Sequence, residues 1–190
     1  MRLFIALIPP PEIREHLSDF LDPRREAGPD LRWSDPDQLH LTLAFIADHP
    51  QAGLDRLTDA LAQRCARLAP GAVRLVGGTA FPNPYVARVL ALGAEPEVWL
   101  AATARAIRHT AGHAGADVDG GRFRPHLTIA RLRRPAEATR WVRILQAYES
   151  AGWVADSVAL VSSHLGQGRA GRPRYDVLAQ FPLGAATPGN

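Results

Sequence analysis

The amino-acid sequence predicts a chain of the α/β or α+β class that carries an internal duplication. Two observations predict the class, and one predicts the duplication. Apolar runs of strand length alternate with stretches whose apolar residues recur at helical spacing. Composition is that of a globular domain, with 46% hydrophobic and 22% charged residues over 190 positions. The run His40-Leu41-Thr42-Leu43-Ala44 returns 86 residues later as His126-Leu127-Thr128-Ile129-Ala130. Two copies at nearly half the chain length point to a duplicated unit, not a solenoid, which needs at least about three repeats.

The elements follow in order. Residues 2–8 are apolar and stop at Pro9-Pro10-Pro11, which predicts a buried strand and then a helix start, because proline suits the first helical turn. Ile13, Leu17, Phe20 and Leu21 give residues 12–21 a helical stripe. Residues 22–30 are polar and proline-rich, 31–34 form a short strand, Pro36-Asp37-Gln38 a turn, and 40–47 a strong strand. Residues 52–68 read as an amphipathic helix with Leu54, Leu57, Leu61, Cys65 and Leu68 on one stripe. Strands are expected at 72–77 and 86–93, separated by the turn Phe81-Pro82-Asn83-Pro84. A helix at 96–113 precedes a loop at 112–121 that holds four glycines. A strand at 123–132, a helix at 135–148 opened by proline, and a strand at 153–162 come next. The stretch 166–173 is a Gly/Arg-rich loop, 175–181 a last strand, and the tail after Leu183 is expected to be disordered.

Several function classes are excluded early. The net charge is +3, and all 22 basic residues are arginine. A GC-rich coding preference accounts for the arginines, and their charge permits an anionic substrate without requiring one. The single cysteine, Cys65, forms no internal disulfide and sits on a helix stripe, which points to a core role in a reducing cytoplasm. No apolar stretch reaches the roughly 18 residues that would span a membrane. The first residues lack the apolar core of a signal peptide. The sequence holds no Gly-x-Ser-x-Gly elbow, Walker loop or dinucleotide-binding glycine loop.

The repeated motif carries the chemistry. Strand side chains alternate faces, so His40 and Thr42 share one face while Leu41 and Leu43 anchor the other. His126 and Thr128, backed by Leu127 and Ile129, do the same. Two imidazoles and two hydroxyls facing each other suit reaction at phosphorus. A neutral imidazole takes a proton from an attacking water, and an imidazolium gives one to the departing oxygen. The hydroxyls bond the non-bridging oxygens. One His-x-Thr alone is commonplace; two near-identical copies in matching strands are not. A metal reading is weaker, because no His-x-His spacing and no carboxylate accompany the motif. Asp35 and Asp37 read as turn residues. His109 and His113 have the i, i+4 spacing of a metal pair but no acidic partner, and read as surface residues. His16, His49 and His164 have no companion motif and read as surface or loop residues.

At these residues the chain resembles the 2H phosphoesterase superfamily, and within it the bacterial and archaeal RNA 2′,3′-cyclic phosphodiesterases once called 2′-5′ RNA ligases. Supporting pieces are residues 1–7, Leu31-Arg32-Trp33, Ala80-Phe81-Pro82, residues 87–90, 123–131 and 175–183. The resemblance implies an α+β bilobal fold: two pseudo-symmetric antiparallel sheets with outer helices around a central cleft, spanning residues 1–184, with 185–190 a tail. It implies hydrolysis of a 2′,3′-cyclic phosphate on RNA to a 2′-phosphate, without metal or cofactor. His40 would be the proton donor, His126 the proton acceptor, and Thr42 and Thr128 the phosphate grip. Arg131, Arg124 and Phe45 are the candidate substrate contacts. Arg131 has the wrong strand parity and needs a twist or bulge to reach the site.

The run Ala44-Phe45-Ile46-Ala47 departs from the family, which often has a basic residue and then Phe-Leu-Gly. Arg169 and Arg172 could track an RNA backbone, though a solvated loop is the simpler account. The expected partner is a cyclic-phosphate RNA end or a small cyclic nucleotide, met by a monomer with no membrane involvement. Alternatives using the same site are 2′-5′ joining of RNA ends, action on ADP-ribose cyclic phosphate or another small nucleotide, and non-catalytic binding of RNA ends.

Overall fold

The computed structural model describes residues 1–28, 31–168 and 171–184. The expected tail at 185–190, and Arg169 of the 166–173 loop, lie outside the described residues. In chain order the elements are β1 (Leu3–Leu7), α1 (Pro11–Arg25), β2 (Leu31–Trp33), β3 (Leu41–Ile46), α2 (Leu54–Cys65), β4 (Gly71–Phe81), β5 (Ala87–Glu95), α3 (Glu97–His113), β6 (His126–Ala136), α4 (Thr139–Leu145), β7 (Trp153–Ala155), β8 (Ser157–His164) and β9 (Arg174–Pro182). This is the expected α+β class.

The strands lie in the order β7-β4-β5-β6-β3-β1-β8-β9, with β2 added beside β6. Every pairing between them is antiparallel. The two expected sheets are the two halves of this path, four strands on each side of the β3–β6 junction. One residue pair, Leu41 opposite Leu127, joins them. The halves are not consecutive pieces of chain. β1, β3, β8 and β9 make one, so the C-terminal strands return to pair with the N-terminal one.

β1 explains why its sequence is apolar at every position. Leu3, Ile5 and Leu7 enter the main core, to which all four helices contribute: Leu17 of α1, Leu61 of α2, Ile107 of α3 and Leu145 of α4 are among its buried members. Phe4 and Ala6 point to the other face and pack with Ala159 and Val161, against Phe45 and Tyr175. The strand is covered on both sides, so alternation with polar residues is lost.

Three expectations shift. The expected strand at 72–77 runs to Phe81, passing a register shift between Val76 and Gly78, where Gly77 adopts φ +58°. The expected helix at 135–148 shrinks to α4, because β6 continues to Ala136 opposite Ala87 of β5. Tertiary pairing there overrides the helix signal of Pro135. The expected strand at 153–162 divides at Asp156: β7 pairs with β4 in one half, and β8 with β1 in the other. His49, expected on the surface or in a loop, is in a loop but fully buried.

Candidate active site

The Leu41–Leu127 pair builds the site. Both side chains enter the core, Leu41 at 2% and Leu127 at 0% exposure. An antiparallel ladder carried one residue to either side of this pair sets position 40 against 128 and position 42 against 126, on the face opposite the two leucines. In a regular ladder diagonal neighbours, the relation between positions 40 and 126, stand roughly 7–8 Å apart. That spacing fits one phosphate group between two imidazoles. The four residues line a single cleft of about 490 Å³.

Both imidazoles are held the same way. Nδ1 of His40 lies 2.7 Å from the Gln38 carbonyl, and Nδ1 of His126 lies 2.7 Å from the Arg124 carbonyl. A carbonyl only accepts, so Nδ1 carries the hydrogen and Nε2 becomes the nitrogen that exchanges protons. Aromatic rings fix the planes. Phe4 stacks on His40 at 4.5 Å and 23°, Tyr175 meets its edge at 5.4 Å, and Phe81 tilts against His126 at 4.5 Å.

Burial pushes the His40 imidazole below the usual histidine range, and the Arg131 guanidinium and the His126 ring push the same way, against the Gln38 carbonyl. Burial also pushes His126 down; the Arg124 carbonyl opposes this and the Arg131 charge adds to it. Desolvation disfavours the charged ring in both cases. An anionic phosphate brought between the rings acts in the opposite sense and favours protonation.

The parity problem of Arg131 is resolved by a bulge, and the bulge occurs twice. On β6, Ala91 faces Thr128 while Leu90 faces Ala130, which leaves Ile129 as an extra residue. On β3, Ala6 faces Thr42 while Ile5 faces Ala44, which leaves Leu43 extra. Each extra residue reverses the alternation beyond it. Ile129 and Ala130, and Leu43 and Ala44, are all buried, and the next residue on each strand, Arg131 and Phe45, turns into the cleft. These two residues are equivalent under the 86-residue offset, so the pseudo-symmetric positions hold an arginine on one side and a phenyl ring on the other. Arg2 lies over that ring, 4.3 Å from its centroid.

Arg124 and Arg172 also border the cleft. Gln38 donates to the Pro173 carbonyl at 3.2 Å, tying the 166–173 loop to the turn before His40. The sequence assigned no role to several other residues that wall the cleft or pack behind it. Arg108 of α3 donates to the Leu43 carbonyl at 2.9 Å and to the Gly121 carbonyl at 2.8 Å, bracing the loop before His126. A helical arginine carries no local signal for that. Phe4 could have been found, since alternation along β1 puts it on the face opposite Leu3 and Ile5. Carboxylates were expected to be absent from the motif face, yet Asp35 and Asp119 border the cleft. Both serve turns, accepting from the Asp37 and Gly121 amides at 3.3 and 3.0 Å. Among the described residues no group of three or more His, Cys, Asp or Glu could hold a metal ion, and no helix is long and apolar enough to cross a membrane.

Of the remaining histidines, His16 meets the Tyr148 hydroxyl at 3.1 Å, and His164 meets Asp176 at 3.1 Å. His109 and His113 place their Nε2 atoms 3.0 Å apart on exposed α3 surface.

Comparison with known proteins places the chain in a family. An RNA 2′,3′-cyclic phosphodiesterase of Thermus thermophilus is 37% identical over 96% of this chain and 90% of its own length. One from Methanothermobacter thermautotrophicus is 26% identical over 87% and 91%. Among solved structures, TT0787 of Thermus thermophilus matches with a TM-score of 0.76 at 32% identity, over 98% of this chain and all of the other. LigT of E. coli in complex with 3′-AMP matches with a TM-score of 0.73 at 25% identity, over 96% and 97%. The model of the 2′-5′ RNA ligase superfamily matches residues 9–167, with both His-x-Thr motifs inside the match, and the chain belongs to that superfamily.

Proposed function

We propose that this chain opens 2′,3′-cyclic phosphate ends of RNA to 2′-phosphate ends, with His40 and His126 as its acid and base. The observation that carries the reading is that one cleft, beside the Leu41–Leu127 pair, is lined by both imidazoles and both threonines. The names of the relatives and the 3′-AMP held by LigT support a nucleotide-ended substrate.

In the proposed reaction a water attacks phosphorus and passes a proton to Nε2 of His126. The bond from phosphorus to O3′ breaks, and Nε2 of His40 supplies the proton that turns the departing oxygen into a 3′-hydroxyl. Thr42 and Thr128 hydrogen-bond the non-bridging oxygens, and Arg131 adds a charged donor as negative charge builds there. Arg124 and Phe45 contact the nucleotide beside the phosphate. Each proton transfer contributes about 10²–10⁴-fold. No step is routed through a metal. Joining of RNA ends would use the same pair, with a ribose hydroxyl in place of water. Residues 1–184 work as one bilobal domain in this proposal, acting as a monomer. The compartment proposed is a reducing cytoplasm, on the strength of the lone, buried Cys65.

The test is hydrolysis of a cyclic-phosphate oligonucleotide, with and without EDTA, by the parent and by His126→Ala. Formation of a 2′-phosphate that survives EDTA and falls at least about a hundredfold in the variant is expected. Parent-like turnover by the variant sinks the assignment. Mononucleotide cyclic phosphates and joinable tRNA halves, run beside it, separate RNA-end hydrolysis from the other activities of the same site.

A further inference from the structure

A second cavity of about 360 Å³ lies between α2 and α3 and shares no lining residue with the cleft. Arg56, Arg64 and Arg67 come from the α2 side, and His109 and His113 from α3. Positions 56, 60, 63, 64 and 67 all border it, a stripe at helical spacing beside the buried Leu57–Leu61–Cys65 stripe. Facing it, residues four apart on α3 present both imidazoles to the same space.

Two of the arginines are held in place. Arg56 donates through Nε to the Ala114 carbonyl at 2.9 Å, and its guanidinium nests where a Cβ at Gly115 would collide with it. Arg64 donates through Nε to the Thr110 hydroxyl at 3.1 Å. Both bonds engage Nε and fix the plane of the fork, leaving the terminal nitrogens as donors. Among the described residues none of the three arginines forms an ion pair, whereas Arg14, Arg25, Arg74 and Arg174 each do. Asp55 and Asp59 lie on α2 but do not line the cavity.

Capping of α3 explains only part of this cluster. The helix C-terminus carries about half a negative charge, and Arg56 already bonds the Ala114 carbonyl there. Three formal positive charges exceed that by a wide margin. The surplus sits in a concave site with oriented donors, which is what a phosphate group requires. A cation is the wrong occupant: the 3.0 Å gap between the imidazole Nε2 atoms would suit a metal, but three unpaired guanidinium groups repel one.

We infer that this groove is a second oxyanion site that takes a phosphate group, from an RNA backbone or from a free nucleotide. It is independent of the two-histidine cleft, and it stands or falls separately from the function proposed above.

The experiment follows the imidazole NMR signals of all seven histidines during addition of inorganic phosphate at constant ionic strength. Saturable movement of His109 and His113 is expected. In Arg64→Gln/Arg67→Gln that movement weakens at least about tenfold, a loss of about 1.4 kcal/mol in binding. The signals of His40 and His126, and hydrolysis of a cyclic mononucleotide, stay as in the parent. Repeats with AMP and with a single-stranded oligonucleotide name the source: saturation at lower concentration by the oligonucleotide assigns the site to RNA, and by AMP to free nucleotides. The inference is overturned if phosphate leaves His109 and His113 unmoved, if chloride moves them equally, if the double variant responds like the parent, or if only zinc ions saturate them.

Discussion

Arg131 offers the sharpest test of the proposed reaction, because one substitution acts there on both the phosphate and the two imidazoles. Its charge lowers the proton affinity of His40 and of His126, behind burial in each case. In Arg131→Gln that charge is gone while burial remains, so both rings bind protons more readily than in the parent. The acid limb of the kcat/KM profile reports the group that must be neutral, and the alkaline limb the group that must be charged, both in the free enzyme. Both limbs therefore move to higher pH, and the optimum moves with them. Height falls as well. A hydrogen bond to a charged group contributes about 1.5–3 kcal/mol, which is a loss of roughly 10- to 150-fold at the optimum. The assay is kcat/KM for a 2′,3′-cyclic mononucleotide from pH about 5 to 9, parent against variant. An optimum that stays put or moves to lower pH refutes the electrostatic account. A loss under about twofold refutes the phosphate contact and the role of the β6 bulge in aiming Arg131.

Three further outcomes are expected. Leu127→Ala, at the fully buried junction of the two halves, should cost about 2–5 kcal/mol, or roughly 4–20 °C in Tm for a chain of this size; an unchanged melting curve would contradict the junction's place in the core. Burial holds the folded-state pKa of His40 and of His126 below the ordinary histidine value of about 6.5, so the stability they contribute is present above that value and is lost as pH falls through the lower ones. Urea midpoints should drop between about pH 7.5 and 5, and the drop should be smaller in His40→Ala. Phe4→Leu removes the ring stacked on His40 and keeps apolar volume, so kcat should fall while the shape of the pH profile is preserved; a profile shifted like that of Arg131→Gln would mean Phe4 acts on the charge and not on the orientation of the ring.

The sequence by itself determined which groups the candidate site presents. His-x-Thr fixes which side chains share a face, because alternation along a strand is a local property of the backbone, and the repetition 86 residues later signalled a partner. It also determined most elements, since α1, α2 and α3 carry clear stripes and β3 a clear apolar backing. What it could not express were relations between distant strands. Pro135 reads as a helix opener until β5 captures Ala136. Residues 153–162 read as one strand until two different partners divide them. Arg131 and Phe45 reach the cleft only through bulges at Ile129 and Leu43. A bulge is a mismatch of count between paired strands, and a strand's count against its neighbour exists only once the two have met. The lone Leu41–Leu127 pairing, beside which both motifs line one cleft, is a tertiary fact of the same kind.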